Sequence, residues 1–275
     1  MRPLAEVVLH GRTLRTNSRG MPDRERALEA PAGTIRIAFL GESWTAGWGV
    51  EAPARYPDLL EAFLERGRSA QVRYEALNFS IPGISPVLHL RFLAGRVLPF
   101  HPDVVFLVVT PSDVSRAALD AARLLHEGID LPSPALRAIA GEAGARPGRA
   151  VSPLERRLAP HAARLLRASI GAIRAACAEA RAAFAVVLLP RLLGEGKPEP
   201  ERETIASACA ETATTLLDLA DAFEGGDEER LVVASWDPHP NEEGHALLDR
   251  SLRRAIARSP EICARLRRRP EELDR

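Results

Sequence analysis

Residues 34–50, TIRIAFLGESWTAGWGV, join an apolar run to a Gly-rich turn that carries a serine. The run is dominated by apolar and β-branched side chains, which predicts a short buried strand. It ends at Gly41, and Glu42 and Ser43 follow directly. A strand that ends in this way presents a hydroxyl at the edge of a sheet. The rest of the chain is therefore expected to supply chemical partners for Ser43.

Other apolar runs also have the length of strands, and stretches with helical periodicity separate them. The predicted strands are 34–40, 73–79, 103–109, 184–189 and 230–234. The predicted helical stretches are 56–66, 86–98, 115–126, 152–182, 201–223 and 241–257. Because strand and helix alternate, and the strands lack polar alternation, we predict an α/β fold. Its expected form is a three-layer α/β/α domain with a flavodoxin-like, parallel five-stranded sheet.

The chain of 275 residues is expected to form one large domain with appended segments. Residues 1–33 are turn-rich and are interpreted as an N-terminal lead-in, residues 34–258 as the α/β domain, and residues 259–275 as a C-terminal helical tail. Residues 127–152 are rich in Gly, Pro and Ala and interrupt the alternation, which predicts an insertion or lid.

Composition narrows the class of partner. The chain has 37 basic and 37 acidic residues, so it carries no excess positive charge that would attract nucleic acid. A small molecule is therefore the expected partner. No apolar run approaches the roughly 18 residues that span a bilayer, and no signal-peptide stretch is evident at the N-terminus. The three cysteines lack CxxC spacing. We expect a cytoplasmic protein without a disulfide framework or a membrane span.

Nothing in the sequence indicates a cofactor. His239 and His245 are six residues apart, and no other metal-ligating side chain clusters with them at useful spacing. There is also no P-loop and no dinucleotide-binding fingerprint. The sequence therefore predicts neither a metal nor an organic cofactor.

Polar residues follow the predicted strands, at the edge of a parallel sheet where ligands bind. The segments are Asn78–Gly83, Thr110–Asp113 and Trp236–Asn241, in addition to the turn at Ser43. A serine becomes a strong nucleophile when an imidazole, oriented by a carboxylate, takes its proton. Ser43, His239 and Asp237 provide these three groups.

These four segments, in this order, resemble the conserved blocks of the SGNH, or GDSL-type, hydrolase family. In that family the blocks contain Gly-Asp-Ser, a glycine, Gly-x-Asn-Asp and Asp-x-x-His. The resemblance covers about residues 33–250, and TNSRGMPDRE, YPDLLEAFL and the last block, Asp-x-His-Pro-Asn, are similar to a bacterial subgroup. It implies that Ser43 is the nucleophile and His239 the base. It also implies that the N–H groups of Gly83 and Ser43 hold the oxyanion.

Three residues depart from the family pattern. Glu42 replaces the Asp before the nucleophile and keeps a carboxylate there. Trp236 stands at the usual position of the acid, so Asp237 is expected to orient His239 from two residues away. Related polysaccharide O-acetyltransferases also use Asp-x-His spacing. Ser112 occupies the position of the oxyanion-hole Asn and offers one hydroxyl donor in place of an amide.

The resemblance implies a serine esterase that hydrolyses carboxylic esters through an acyl-enzyme on Ser43. The substrate is an ester of a small molecule, such as the O-acetyl group of a sugar or metabolite. Two alternatives stay open: an O-acyltransferase that uses the same site, and a catalytically silent, ligand-binding member of the fold.

Several neighbouring side chains are assigned structural roles. At least one of Trp44 and Trp48 is expected to pack in the core, His245 to pack on a helix face, and Asn241 to cap a helix. Asp113 is expected to accept structural hydrogen bonds. The remaining histidines are interpreted as ordinary: His10, His89, His101, His126 and His161.

If Ser112 replaces the family Asn, Ser112→Ala should lower turnover about 10-fold or more, because an oxyanion donor is lost. Steady-state hydrolysis of an activated ester measures the effect. An unchanged kcat would show that Ser112 does not stand in for the Asn.

Overall fold

The computed structural model describes residues 1–193 and 200–274. In these ranges the strands are β1 (Glu6–Leu9), β2 (Arg12–Arg15), β3 (Thr34–Leu40), β4 (Arg73–Asn78), β5 (Val104–Val109), β6 (Ala183–Leu188), β7 (Thr215–Asp218), β8 (Val232–Ala234) and β9 (Asp237–Pro240). The α-helices are α1 (Ser43–Ala46), α2 (Tyr56–Arg66), α3 (Pro86–Phe92), α4 (Asp113–His126), α5 (Pro134–Glu142), α6 (Val151–Leu158), α7 (Ala162–Glu179), α8 (Pro200–Glu211), α9 (Glu242–Ala257), α10 (Pro260–Leu266) and α11 (Pro270–Leu273).

A parallel five-stranded sheet with the order β4-β3-β5-β6-β7 forms the centre of the fold. Numbered along the chain, its strands lie in the order 2-1-3-4-5, which is the flavodoxin-like, doubly wound arrangement. The predicted α/β/α fold class is therefore confirmed. Two antiparallel hairpins, β1–β2 and β8–β9, lie outside this sheet.

Alternate residues of each central strand supply two separate cores. Ala38 and Leu40 of β3 pack with side chains from α3 to α8, whereas Ile37 and Phe39 pack on the opposite face with α2 and with α9 to α11. This alternation follows from the two-residue period of a strand. Burial on both faces explains why the strands read as continuously apolar runs.

The predicted position of the fifth strand is wrong. The last parallel strand is β7 (Thr215–Asp218), which lies inside the stretch predicted to be helical, 201–223. Residues 232–234 instead pair with β9 in the antiparallel hairpin. The error has a physical cause: β7 is only four residues long and follows an Ala-rich helix, so neither its length nor its periodicity marks it as a strand.

The predicted insertion and C-terminal tail both contribute to the two cores. Residues 127–152 contain α5, which contacts α7 and whose Leu136 and Ile139 are buried in the core. The C-terminal segment contains α10 and α11, and its Ile262 and Leu273 are buried on the other face. The division of the chain into lead-in, domain, insertion and tail stays a prediction.

Across residues 1–193 and 200–274, helices fall short of the length and apolarity needed to cross a bilayer. The cytoplasmic location stays a prediction.

A buried arginine joins the amino-terminal ends of the first two parallel strands. Arg36 of β3 is fully buried, and its Nε donates to Glu75 Oε2 on β4 at 2.8 Å. Its remaining donors bond the carbonyl oxygens of Ala27, Leu28 and Phe100 at 2.5–2.8 Å. One side chain thus ties the N-terminal segment to the sheet.

Arg36→Met should lower the free energy of unfolding by about 3 to 5 kcal/mol, because Glu75 and three carbonyl groups lose their donor. Urea unfolding followed by circular dichroism measures the change. Arg73→Met is a matched control, since Arg73 is exposed on the neighbouring strand, and its effect should stay within about 0.5 kcal/mol. A similar effect of both substitutions would contradict the interpretation.

Candidate active site

The serine turn is compressed against the end of β3. Ser43 begins α1, and a Cβ added at Gly41 would lie 2.2 Å from Thr45 Oγ1 and 2.7 Å from Thr45 Cβ. Thr45 cannot move aside easily, because it is buried and its hydroxyl bonds that of Tyr56 at 2.7 Å. Only glycine at position 41 therefore lets the chain fold α1 back over the strand. The short helix ends at Gly47, which has φ +86°.

The segment Trp236–Asn241 was predicted to follow a parallel strand. It lies instead on the antiparallel β8–β9 hairpin. Asp237 and His239 are both residues of β9, separated by one position. Since side chains alternate along a strand, both leave the same face of β9. Asn241 then caps α9 by accepting from the N–H of Gly244 at 3.1 Å, which confirms its predicted role.

The structure brings Ser43, His239 and Asp237 into one chain of hydrogen bonds. His239 Nε2 lies 2.8 Å from Ser43 Oγ, and His239 Nδ1 bonds Asp237 Oδ1, which also accepts from the backbone N–H of His239 at 3.1 Å. An ionised carboxylate can only accept, so Nδ1 carries the proton. His239 Nε2 of the neutral ring then accepts the hydroxyl proton of Ser43, which is the arrangement of a general base.

The environment of Asp237 favours its ionised form. Burial alone would raise the pKa of this carboxyl, but hydrogen bonds from the ring and backbone of His239, and from His10, lower the pKa below its usual range. Asp237 therefore stays charged where it orients His239.

The interpretation of His10 as an ordinary histidine is wrong. Its Nε2 lies 2.7 Å from Asp237 Oδ2, and its ring lies 4.8 Å from that of Trp236, centroid to centroid. His10 and Gly11 form the two-residue turn of the β1–β2 hairpin. The sequence carried only a weak hairpin signal, a glycine-containing dipeptide between the short segments VVL and RTL. The hydrogen bond between His10 and Asp237 could not be predicted from the sequence around either residue.

The two expected oxyanion residues lie on loops beside the serine turn. Gly83, with φ +76°, is exposed after β4, and the N–H of Ile81 donates to the carbonyl of Gly41 at 2.9 Å, which joins the two loops. Ser112 is exposed after β5, and its hydroxyl lies 2.8 Å from Thr110 Oγ1. The roles of Gly83 and Ser112 stay predictions.

A charged network that the sequence did not reveal supports the serine turn. The Glu42 carboxylate is buried and pairs with Arg116 of α4, whose second nitrogen lies 3.4 Å from Ser112 Oγ. Burial first, and then the nearby charge of Glu42, raise the pKa of Asp113 to about 7. Asp113 accepts from the backbone N–H of Thr110 at 2.8 Å, so it has the structural role that was expected.

Aromatic rings lie beside His239 and in the core next to the serine turn. Trp48 stacks on His239 with ring centroids 5.5 Å apart, whereas Trp44 is buried in the core, as was predicted for at least one of the two. His245 is also buried and accepts from the N–H of Tyr56 at 3.2 Å. Burial lowers the pKa of His245 to about 3, so it packs as a neutral ring.

Within the part of the chain that the structure describes, no three His, Cys, Asp or Glu side chains are grouped so as to hold a metal ion. The absence of a metal and of other cofactors stays a prediction.

The central parallel five-stranded sheet with its flanking helices matches the α/β/α fold of SGNH-type ester hydrolases. The profile of the GDSL-like lipase/acylhydrolase family matches residues 39–247, and the chain belongs to that family. The resemblance stated from the sequence is thereby confirmed.

Solved esterase structures resemble this fold at low sequence identity. Axe2, an acetylxylan esterase from Geobacillus stearothermophilus, has 16% identity and a TM-score of 0.52, with 82% of this chain and 95% of that chain covered. TesA has 14% identity and a TM-score of 0.53, with 81% and 98% covered. A two-domain esterase active on acetylated mannans has 16% identity and a TM-score of 0.54, with 82% and 50% covered. No curated protein sequence matches the chain.

Gly41→Ala should displace Thr45 and with it the serine turn. We expect the free energy of unfolding to fall by about 1 to 3 kcal/mol through overpacking. Ester hydrolysis should fall roughly 10²-fold, because reacting groups move out of position. Urea unfolding and hydrolysis of p-nitrophenyl acetate measure the two effects.

Gly141→Ala is the matched control for this substitution. Gly141 lies in α5, and no atom lies within 4 Å of an added Cβ there. Alanine should stabilise this helix by about 0.5 to 1 kcal/mol and leave activity unchanged. Wild-type activity in Gly41→Ala would contradict the assigned role of the close contact.

Proposed function

We propose that this protein is a serine esterase that forms an acyl-enzyme on Ser43. One observation carries the proposal: the chain of hydrogen bonds from Ser43 through His239 to Asp237, with 2.8 Å between Ser43 Oγ and His239 Nε2. The distance suits direct proton transfer, and the tautomer of His239 is the one that accepts a proton.

In the first half of the proposed reaction, Ser43 Oγ attacks the carbonyl carbon of the ester while His239 Nε2 takes the hydroxyl proton. The resulting tetrahedral intermediate carries a negative oxygen. When it collapses, the ester C–O bond breaks and the alcohol leaves with the proton from His239. The charge of Asp237 stabilises the imidazolium that exists between these two proton transfers.

In the second half, His239 takes a proton from water, and the hydroxide attacks the acyl carbon. The bond to Ser43 Oγ then breaks, the serine regains the proton, and a carboxylic acid leaves. An alcohol that takes the place of water would give acyl transfer from the same intermediate.

Backbone N–H groups are proposed to hold the oxyanion. Ser43 is the first residue of α1, so its N–H has no acceptor within the helix. Gly83 lies exposed on the adjacent loop, and a Cβ added there would meet no atom within 4 Å, so there is open space for a ligand beside it. Each such donor contributes about 2.7 to 4 kcal/mol to stabilisation of the transition state.

The openness of the site favours a short acyl group. A long acyl chain gains about 0.8 kcal/mol for each buried CH₂, and this requires an apolar surface beside the serine. Gly83 and Ser112 are exposed and offer no apolar side chain, and Trp44 is buried in the core, which leaves the half-buried ring of Trp48, stacked on His239, as the apolar contact for a short acyl group. We therefore propose acetyl esters, with O-acetylated sugars as the substrate class. The similarity in fold to an acetylxylan esterase and to an esterase active on acetylated mannans supports this choice.

The decisive experiment measures the mass of the intact protein after reaction with a fluorophosphonate probe. Wild type should gain one probe mass, and Ser43→Ala should gain none, because only an activated serine reacts. p-Nitrophenyl acetate should then be hydrolysed with a higher kcat/KM than the butyrate or octanoate.

The other outcomes are equally informative. A folded wild type that is neither labelled nor active would favour the ligand-binding alternative. A rise of kcat/KM with chain length would overturn the acetyl assignment, and acylation of an added sugar in preference to hydrolysis would establish an O-acyltransferase.

A further inference from the structure

The carboxylate of Asp237 is held at both oxygens. His239 bonds Oδ1, and His10 Nε2 lies 2.7 Å from Oδ2. Since the ionised carboxylate offers only acceptors, the proton of this second bond belongs to His10. The His10 side chain is 18% exposed and that of Asp237 is 10% exposed, so water competes little for the contact. The hydrogen-bonded chain at the site therefore runs over four side chains.

His10 lies in the left-handed region of backbone conformation. His10 has φ +52° and Gly11 has φ +74°, as expected for the two-residue turn of a hairpin in which both central residues are left-handed. Asn, Asp and Gly are the residues favoured at the first position of such a turn. Histidine also tolerates this region better than most residues do, so the turn can present the ring to Asp237 without backbone strain.

The hairpin is fixed between the two segments that carry the catalytic groups. On one side, the N–H of Thr13 donates to Glu51, in the loop that follows the serine turn, at 3.0 Å. On the other side, Arg12 pairs with Glu242, at the start of α9, at 2.9 Å. These contacts limit the movement of the turn, so the His10 ring has a defined position relative to Asp237.

We propose that His10 is a positioning residue of the esterase reaction. By donating its Nε2–H to Asp237 Oδ2, it fixes the plane of the carboxylate so that Oδ1 stays aligned with the Nδ1–H of His239. His239 is then held with Nε2 toward Ser43. His10 lies outside the family match of residues 39–247, so the N-terminal hairpin supplies this group. The inference rests on the proposed function.

Two substitutions distinguish loss of the hydrogen bond to Asp237 from disturbance of the turn. His10→Asn suits the left-handed turn, but its amide is too short to reach Asp237 as the ring does. His10→Gln places an amide nitrogen near the position of Nε2 and can restore the donor. His101→Asn is the matched control, because His101 also has positive φ (+50°) and is exposed before β5, at the opposite edge of the sheet.

With p-nitrophenyl acetate, His10→Asn should lower kcat about 10-fold and leave KM within about 2-fold, because only the alignment of the base changes. A 10-fold loss corresponds to about 1.4 kcal/mol. His10→Gln should recover at least half of wild-type kcat, and His101→Asn should equal wild type. Melting temperatures should not follow the order of the kcat values.

Proton NMR gives a readout that does not need turnover. The hydrogen-bonded Nδ1–H of His239 should resonate far downfield in wild type, in His10→Gln and in His101→Asn, and should shift or broaden in His10→Asn. This test applies even if Ser43 proves unreactive toward fluorophosphonate, which would overturn the proposed function by itself. Wild-type kcat and an unchanged resonance in His10→Asn would overturn the role of His10. A kcat loss that His10→Gln does not repair would do the same.

Discussion

The two-residue period of a β-strand is the constraint on which the candidate active site depends. Because Asp237 and His239 lie on one strand, a single intervening residue is enough to bring the carboxylate to the ring. The hairpin must also stand beside the serine turn. Gly49 permits this, since a Cβ added there would lie 2.6 Å from Val233 Cγ1. The short spacing of the last block is therefore a property of its secondary structure.

Sequence reasoning succeeded where the signal was local. Three of the five parallel strands, β3, β5 and β6, are largely apolar runs of at least six residues, and Ser43, Asp237 and His239 each lie in a short segment of distinctive composition. It failed at Thr215–Asp218, because these four residues follow a run of good helix formers and are too few to show the two-residue periodicity of a strand. It also failed at His10, because no local pattern reports a contact with a residue 227 positions away.

The N-terminal segment is part of the fold that supports the site. Arg26 is buried and donates to Asp23 at 3.1 Å, to Glu61 of α2 at 2.8 Å and to the carbonyl of Ala76 on β4 at 2.8 Å. Burial opposes the charge of Arg26, but the two neighbouring carboxylates raise its pKa. A charged side chain at this depth requires such partners, so the segment and the sheet depend on each other.

The joining of distant segments at the site also bears on how the protein is made. Ser43 and His239 are 196 residues apart, and the hairpin that contacts Asp237 comes from the first residues of the chain. During synthesis the serine turn leaves the ribosome long before the β8–β9 hairpin that carries His239, and contacts of such separation form late because long loops must close first. If Ser43 is the nucleophile proposed above, a chain in which residues 237–239 are not yet in place leaves the serine without its base, so reactivity of the serine reports that these distant segments have come together.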